Sequence, residues 1–135
     1  MAGLPLISVV DDDYSVRQSL QRLIRSAGFA VKVFASAEEF WESEYLYETR
    51  CLVLDVRMAG MNGVELWRKL AACHRDIPVV FITAHGNEAQ RSQALLDGAI
   101  DYLYKPFNDE ALLKAIKTAL HLEVVKAKGN QVRRR

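Results

Sequence analysis

The chain has no uninterrupted apolar stretch near the ~18 residues that a membrane-crossing helix needs, which excludes a helical membrane protein. Its opening, MAGLPLISVV, lacks a charged first region and a long apolar one, so no secretory signal is read there. Cysteine is scarce. Cys51 and Cys73 are the only two, each inside an apolar or helical segment. They read as small buried hydrophobes of a reducing cytoplasm rather than as a disulfide or a metal pair. Neither an internal repeat nor a second domain competes for the pattern, and 135 residues are enough for one domain around one core.

What is present is ordinary in bulk and uneven in detail. Half the residues are hydrophobic and 26% are charged, as in a globular protein. The formal charge is +1, yet the last ten residues, KAKGNQVRRR, hold five of the 18 basic groups and no acid. Residues 1 to 125 therefore carry 13 basic against 17 acidic groups, a balance of −4. A folded body of that sign is not a nucleic-acid binder, and the basic end, with no interleaved aromatics, reads as a solvated linker or tail.

Apolar runs recur along the chain. LISVV (6–10), CLVL (51–54) and PVVFIT (78–83) are short, rich in Val, Ile and Leu, and not strictly alternating. Such runs fit strands buried on both faces, as in a parallel sheet. AVKVF (30–34) and DYLY (101–104) are weaker, and Lys32 marks the first of them as an edge strand. Between the runs lie helical stripes. Val16, Leu20, Leu23, Ile24 and Ala27 form the first, with Gly28 at its C-terminal cap. Ser36 and Glu39 read as a capping box opening the second, through Phe40 and Trp41. Val64, Trp67, Leu70 and Ala71 make the third, placing both tryptophans in the core. The fourth, over 87–97, has only Ala89, Leu95 and Leu96 as anchors. Leu112, Ile116, Ala119 and Leu120 make the fifth. Five strands alternating with five helices predict a doubly wound α/β fold.

Sites in such sheets form beyond the carboxyl ends of the strands. The first strand delivers Asp11, Asp12 and Asp13 there, and the third delivers Asp55. The fourth ends in Thr83 and Ala84, the fifth in Lys105 and Pro106. Three carboxylates so close would hold at least one proton unless a cation compensated them. Oxygen donors with few protein contacts suit Mg²⁺. A carboxylate beside Mg²⁺ and facing a lysine is a nucleophile for a phosphoryl group, with Lys105 and the Thr83 hydroxyl serving the transferring oxygens.

Four segments in this order and spacing, VVDDD, LVLDVRMAGMNG, FITAHG and DYLYKPF, resemble the receiver domain of two-component response regulators over residues 6 to about 122. The resemblance implies a flavodoxin-like (βα)5 fold with strand order 2-1-3-4-5. It implies that Asp55 is the phosphoacceptor, that Asp12 binds Mg²⁺ directly and Asp11 through water, and that the Arg57 backbone carbonyl is a further ligand. Thr83 and Lys105 would contact the phosphoryl group, and the Lys105–Pro106 bond would be cis. Tyr102 would be the aromatic switch, turning inward as Thr83 moves. A sensor histidine kinase would be the donor, and the surface of the fourth helix, fifth strand and fifth helix would form a homodimer or meet an output partner.

Some positions keep two readings. Asp13 reads as a helix start favoured by the dipole rather than as a third metal ligand. Tyr102 is a switch or a packing residue. His85 tunes the access of water or is a plain loop residue. Ala59 stands where the family usually has proline, which loosens the loop after Asp55 without removing a ligand. Arg57 is a large cation beside the acceptor, expected to act on the dephosphorylation rate.

The motifs are most similar to receivers that precede a helix-turn-helix domain, the nitrogen-fixation regulator type. The chain is then residues 1–122 as receiver and 123–135 as a helix extension and basic linker, with DNA reached only through an output domain outside it. The alternative is a stand-alone receiver acting by protein–protein interaction or phosphorelay. A flavodoxin-type flavin binder is disfavoured because three aspartates would repel the flavin phosphate. A phosphatase of the aspartyl-phosphate type would want a second carboxylate where Arg57 stands.

Overall fold

The computed structural model describes residues 3–133, with side chains for residues 3–121. The side chains of the expected basic tail, and of the boundary placed near Leu122, lie outside the described residues. The strands are β1 (Leu6–Val10), β2 (Ala30–Phe34), β3 (Thr49–Asp55), β4 (Val79–Thr83) and β5 (Asp101–Tyr104). The helices are α1 (Tyr14–Ser26), α2 (Ala37–Trp41), α3 (Gly63–Ala72), α4 (Glu88–Leu96) and α5 (Asp109–Arg133). All strand pairs are parallel and the order is β2-β1-β3-β4-β5, so β2 with its exposed Lys32 is indeed an edge.

The two sheet faces explain the continuous apolar runs. Val10, Leu52, Leu54 and Phe81 pack on one side with Phe40, Leu66 and Leu70 of α2 and α3. Ile7, Val9, Val53, Val80 and Ile82 pack on the other with Leu20 and Ile24 of α1 and Leu112 and Ile116 of α5. Successive residues of one strand thus enter opposite cores, and from Ile7 in β1, Cys51 in β3 and Val79 in β4 onward every position of these strands is buried.

Several local expectations need correction. β3 starts at Thr49, two residues before its apolar run, because polarity there is paired: the Thr49 hydroxyl donates to the Tyr45 carbonyl (2.7 Å) and bonds Ser8 Oγ (2.7 Å). α2 has five residues and gives way to a 3-10 turn over Glu44–Tyr47, whose start Ser43 caps. Ser36 Oγ accepts from the Glu39 N–H (3.1 Å), but the reciprocal capping box stands instead at Asn62 and Glu65. Cys51 is buried as expected, whereas Cys73, the C-cap of α3, is exposed. Trp41 and Trp67 are half-buried at the margin of the core, under Lys69 and against Phe81 respectively. α4 buries no residue; Ala94, not Ala89 or Leu96, packs on the core, and Leu96 is 81% exposed.

Candidate functional site

β1 and β3 lie side by side where the strand order reverses, so their carboxyl ends open into one crevice. The residue after β1 is Asp11 and the last of β3 is Asp55; both are buried, while Asp12 is exposed. Asp11 is fixed on every side. Its N–H donates to the Phe34 carbonyl (3.1 Å), its Oδ1 accepts from the Asp13 N–H (2.8 Å), and its carbonyl accepts from Arg17 Nη1 (2.8 Å). Asp13 caps α1, its carboxylate accepting from the Ser15 and Val16 N–H groups, which is the helix-start reading. Asp55 Oδ1 accepts from the Arg57 N–H (3.2 Å).

Lys105 joins the two strands. Its Nζ donates to Asp11 Oδ2 at 2.8 Å and stands 3.5 Å from Asp55 Oδ2. The Lys105 N–H donates to the Thr83 carbonyl (2.8 Å), which holds its backbone beside the end of β4; the Lys105–Pro106 peptide bond is cis. One ammonium does not balance this site. Asp11, Asp12 and Asp55 each bring an oxygen within 4.8 Å of the others. Burial and then the neighbouring Asp11 push the Asp55 carboxyl up to about 6, against the pull of Lys105. Burial pulls the Lys105 ammonium down, but the hydrogen bond and charge of Asp11, with Asp55 added, outweigh it and the net shift is upward. An all-oxygen donor set with excess negative charge fits a hard divalent cation.

Thr83 is fully buried at the end of β4, and its Oγ1 accepts from the His85 N–H (3.1 Å). Ala84 and His85 are exposed on the rim, as is Arg57. Tyr102 occupies a packed position. Its ring is already inward, 3% exposed, packed against Phe81 and Tyr104, with its hydroxyl 3.4 Å from Gln90 Oε1. Burial raises its hydroxyl above the usual tyrosine range.

Two residues outside the expected set shape the site. Gly63, the first residue of α3, packs on the Asp55 backbone so closely that a Cβ there would meet the Asp55 carbonyl and lie 3.1 Å from the Val56 Cα. Glu38 of α2 accepts from the Met61 N–H (3.0 Å) in the loop after Asp55. The glycine stands within a motif legible in the sequence; nothing local to Glu38 signals a partner 23 residues away.

A doubly wound sheet with a lysine reaching two buried aspartates at its switch point defines an aspartate-based receiver. The family comparison agrees: residues 7–117 match the response regulator receiver domain, and the chain belongs to that family. It is 45% identical over 117 residues to the response regulator protein TmoT of Ectopseudomonas mendocina, covering 87% of this chain and 53% of that protein. It is 37% identical over 126 residues to the transcriptional regulatory protein FixJ of Bradyrhizobium diazoefficiens, covering 93% of this chain and 62% of that one. The structure of response regulator StyR superposes with a TM-score of 0.86 at 45% identity, over 97% of this chain and 66% of that chain. The chain spans about half the length of the first curated relatives it matches. Receivers are phosphoacceptors rather than classical enzymes, are acted on by sensor histidine kinases, and generally bind Mg²⁺ at an acidic pocket. Among the described residues no helix is long and apolar enough to cross a membrane.

Proposed function

We propose that this domain is a switch thrown by phosphorylation of Asp55. The observation that carries the reading is Lys105 Nζ held between the buried carboxylates of Asp11 and Asp55. A carboxylate oxygen of Asp55 attacks the phosphorus of a phosphohistidine on the kinase. The P–N bond breaks, an acyl phosphate P–O bond forms, and the imidazole leaves. Asp11, Asp12, Asp55 and the Arg57 carbonyl would hold Mg²⁺, which when bound neutralises carboxylate and phosphoryl charge. Lys105 pairs with a phosphoryl oxygen. The Thr83 hydroxyl, while accepting from His85, keeps its proton to donate to another. The domain thereby promotes its own phosphorylation and, with water as the nucleophile, its own dephosphorylation.

The readout is the face of α4, β5 and α5. The new charge draws on Thr83, and α4, with no buried residue, is the element that yields. The name of FixJ, a transcriptional regulatory protein, and the match to about half of TmoT favour a receiver joined to an output domain, and the receiver is taken as residues 1–122. Residues 123–135 then lead toward a transcriptional output domain that alone meets DNA, in a cytoplasmic protein that dimerises through the same face. The second reading is a stand-alone receiver.

Incubation with acetyl phosphate and Mg²⁺ followed by intact-mass measurement tests the chemistry. One added phosphate is expected in the wild type and none in Asp55→Asn; equal uptake by the two removes Asp55 from the role. Arg57→Ala is expected to change the decay rate of the phosphorylated form severalfold, because its exposed side chain stands beside the acceptor and controls the approach of water. An unchanged decay rate contradicts that.

A further inference from the structure

The loop between β3 and α3 is pinned at both ends. The Val56 N–H donates to the Ile82 carbonyl (3.0 Å) and the Gly63 N–H to the Val56 carbonyl (3.1 Å). Between them, Met58 and Met61 rest against the core margin. Among the described residues, residues 57–61 are tied to the preceding strand by the Arg57 N–H on Asp55 Oδ1 (3.2 Å), and to an element that does not flank the loop by one hydrogen bond, the Met61 N–H to Glu38 Oε2, 3.0 Å. Gly60 fits this contact twice over. Its φ is +74°, and a Cβ there would lie 2.8 Å from Glu38 Oε2, so the carboxylate sits directly on the glycine. Glu38 itself stands on a firm base. α2 is capped by Ser36 and anchored by Phe40, which is fully buried edge-on to Phe34 at 5.3 Å. The Met61 N–H holds the Glu38 carboxyl below the usual glutamate range, helped by its own backbone N–H and by Lys69, so it is ionised at neutral pH.

We propose that Glu38 is a positioning residue for the phosphorylation site, clamping the Gly60–Met61 backbone so that the loop carrying the Arg57 carbonyl is held in one conformation. The inference rests on the reading of Asp55 and its cation given above. A loop residue that must order itself when a cation arrives charges that ordering against affinity. The clamp removes that cost in advance, from an element that does not touch the reacting group.

The test compares wild type, Glu38→Ala, Glu38→Gln and Glu38→Asp by two readouts. One is exchange of the Met61 amide without metal; the other is Mg²⁺ affinity from a titration followed by site fluorescence or amide shifts. Glu38→Ala is expected to speed Met61 exchange about tenfold and weaken Mg²⁺ binding about fivefold, the scale of one charge-assisted hydrogen bond lost from a supporting shell. The thermal midpoint should stay within a few degrees. Glu38→Gln, whose amide oxygen still accepts, is expected to recover most of both. Glu38→Asp, one methylene short, is expected to behave like alanine. Wild-type Mg²⁺ affinity in Glu38→Ala, or no recovery in Glu38→Gln, overturns the proposal. Failure of the wild type to bind Mg²⁺ or take up phosphate overturns the underlying reading instead, and Met61 exchange still decides whether the clamp exists.

Discussion

In metal-free buffer at pH 7.5, Asp55→Asn is expected to be more stable than the wild type by about 2 kcal/mol, and the advantage should vanish below about pH 4. The sign follows from where the proton sits. Burial and Asp11 raise the Asp55 carboxyl in the folded chain to about 6, from an ordinary value of 3.8. Below about pH 4 the group is protonated folded and unfolded alike, and contributes nothing. Between 4 and 6 the unfolded chain has released its proton while the folded one keeps it, so stability falls as pH rises. Above 6 the penalty is complete. The figure is set below the full value of the shift because the crevice is open to solvent at the exposed Asp12. Millimolar Mg²⁺ should shrink or reverse the difference, since the cation stabilises only the chain that binds it. Chemical unfolding of both proteins at pH 4 and 7.5, with EDTA and with Mg²⁺, measures all four numbers. A variant no more stable than the wild type in EDTA at pH 7.5 would sink the claim of uncompensated charge.

Gly63→Ala is expected to lower stability by about 3 kcal/mol and to slow phosphate uptake by at least about tenfold. The added Cβ would meet the Asp55 carbonyl and the Val56 Cα, and backbone cannot rotate aside as a side chain does. Two movements relieve it. Either α3 lifts from the sheet, which withdraws Leu66 and Leu70 from the core, or the end of β3 shifts and carries Asp55 away from Lys105. Both cost stability, and the second also costs function directly. Urea midpoints with acetyl phosphate kinetics separate the two routes. A loss of stability with normal uptake assigns the movement to α3, and normal values of both show that the contact is easily relieved.

Legibility in the sequence followed the range of the forces involved. β1, β3 and β4 could be read because a strand buried on both faces is apolar over most of its length. The convergence of Asp11, Asp55 and Lys105 could be read because parallel strands all end on one edge. What escaped was settled by contacts between distant segments. Thr49 and Arg50 look polar alone, and only Ser8 and the Tyr45 carbonyl make Thr49 a strand residue. The phase of α4 was ambiguous because three apolar residues cannot define a stripe, and Ala94 rather than Leu96 faces inward. For Tyr102 the packing reading was open from its strand and from Tyr104 two residues on, but its contacts with Phe81 and Gln90 come from other segments. The Glu38 contact is of the same kind.

α4 meets its surroundings through Ala94, the Gln90 contact with Tyr102, and a long ion pair of Arg91 with Asp101 (3.9 Å); a second pair of Arg91, with Glu88 at 3.9 Å, stays within the helix. Exposed pairs of that length weigh little. Two positions of this helix would therefore hide nearly the same apolar area. Their interconversion should carry almost no heat-capacity change, passing unnoticed in a calorimeter while amide exchange along Glu88–Leu96 registers it.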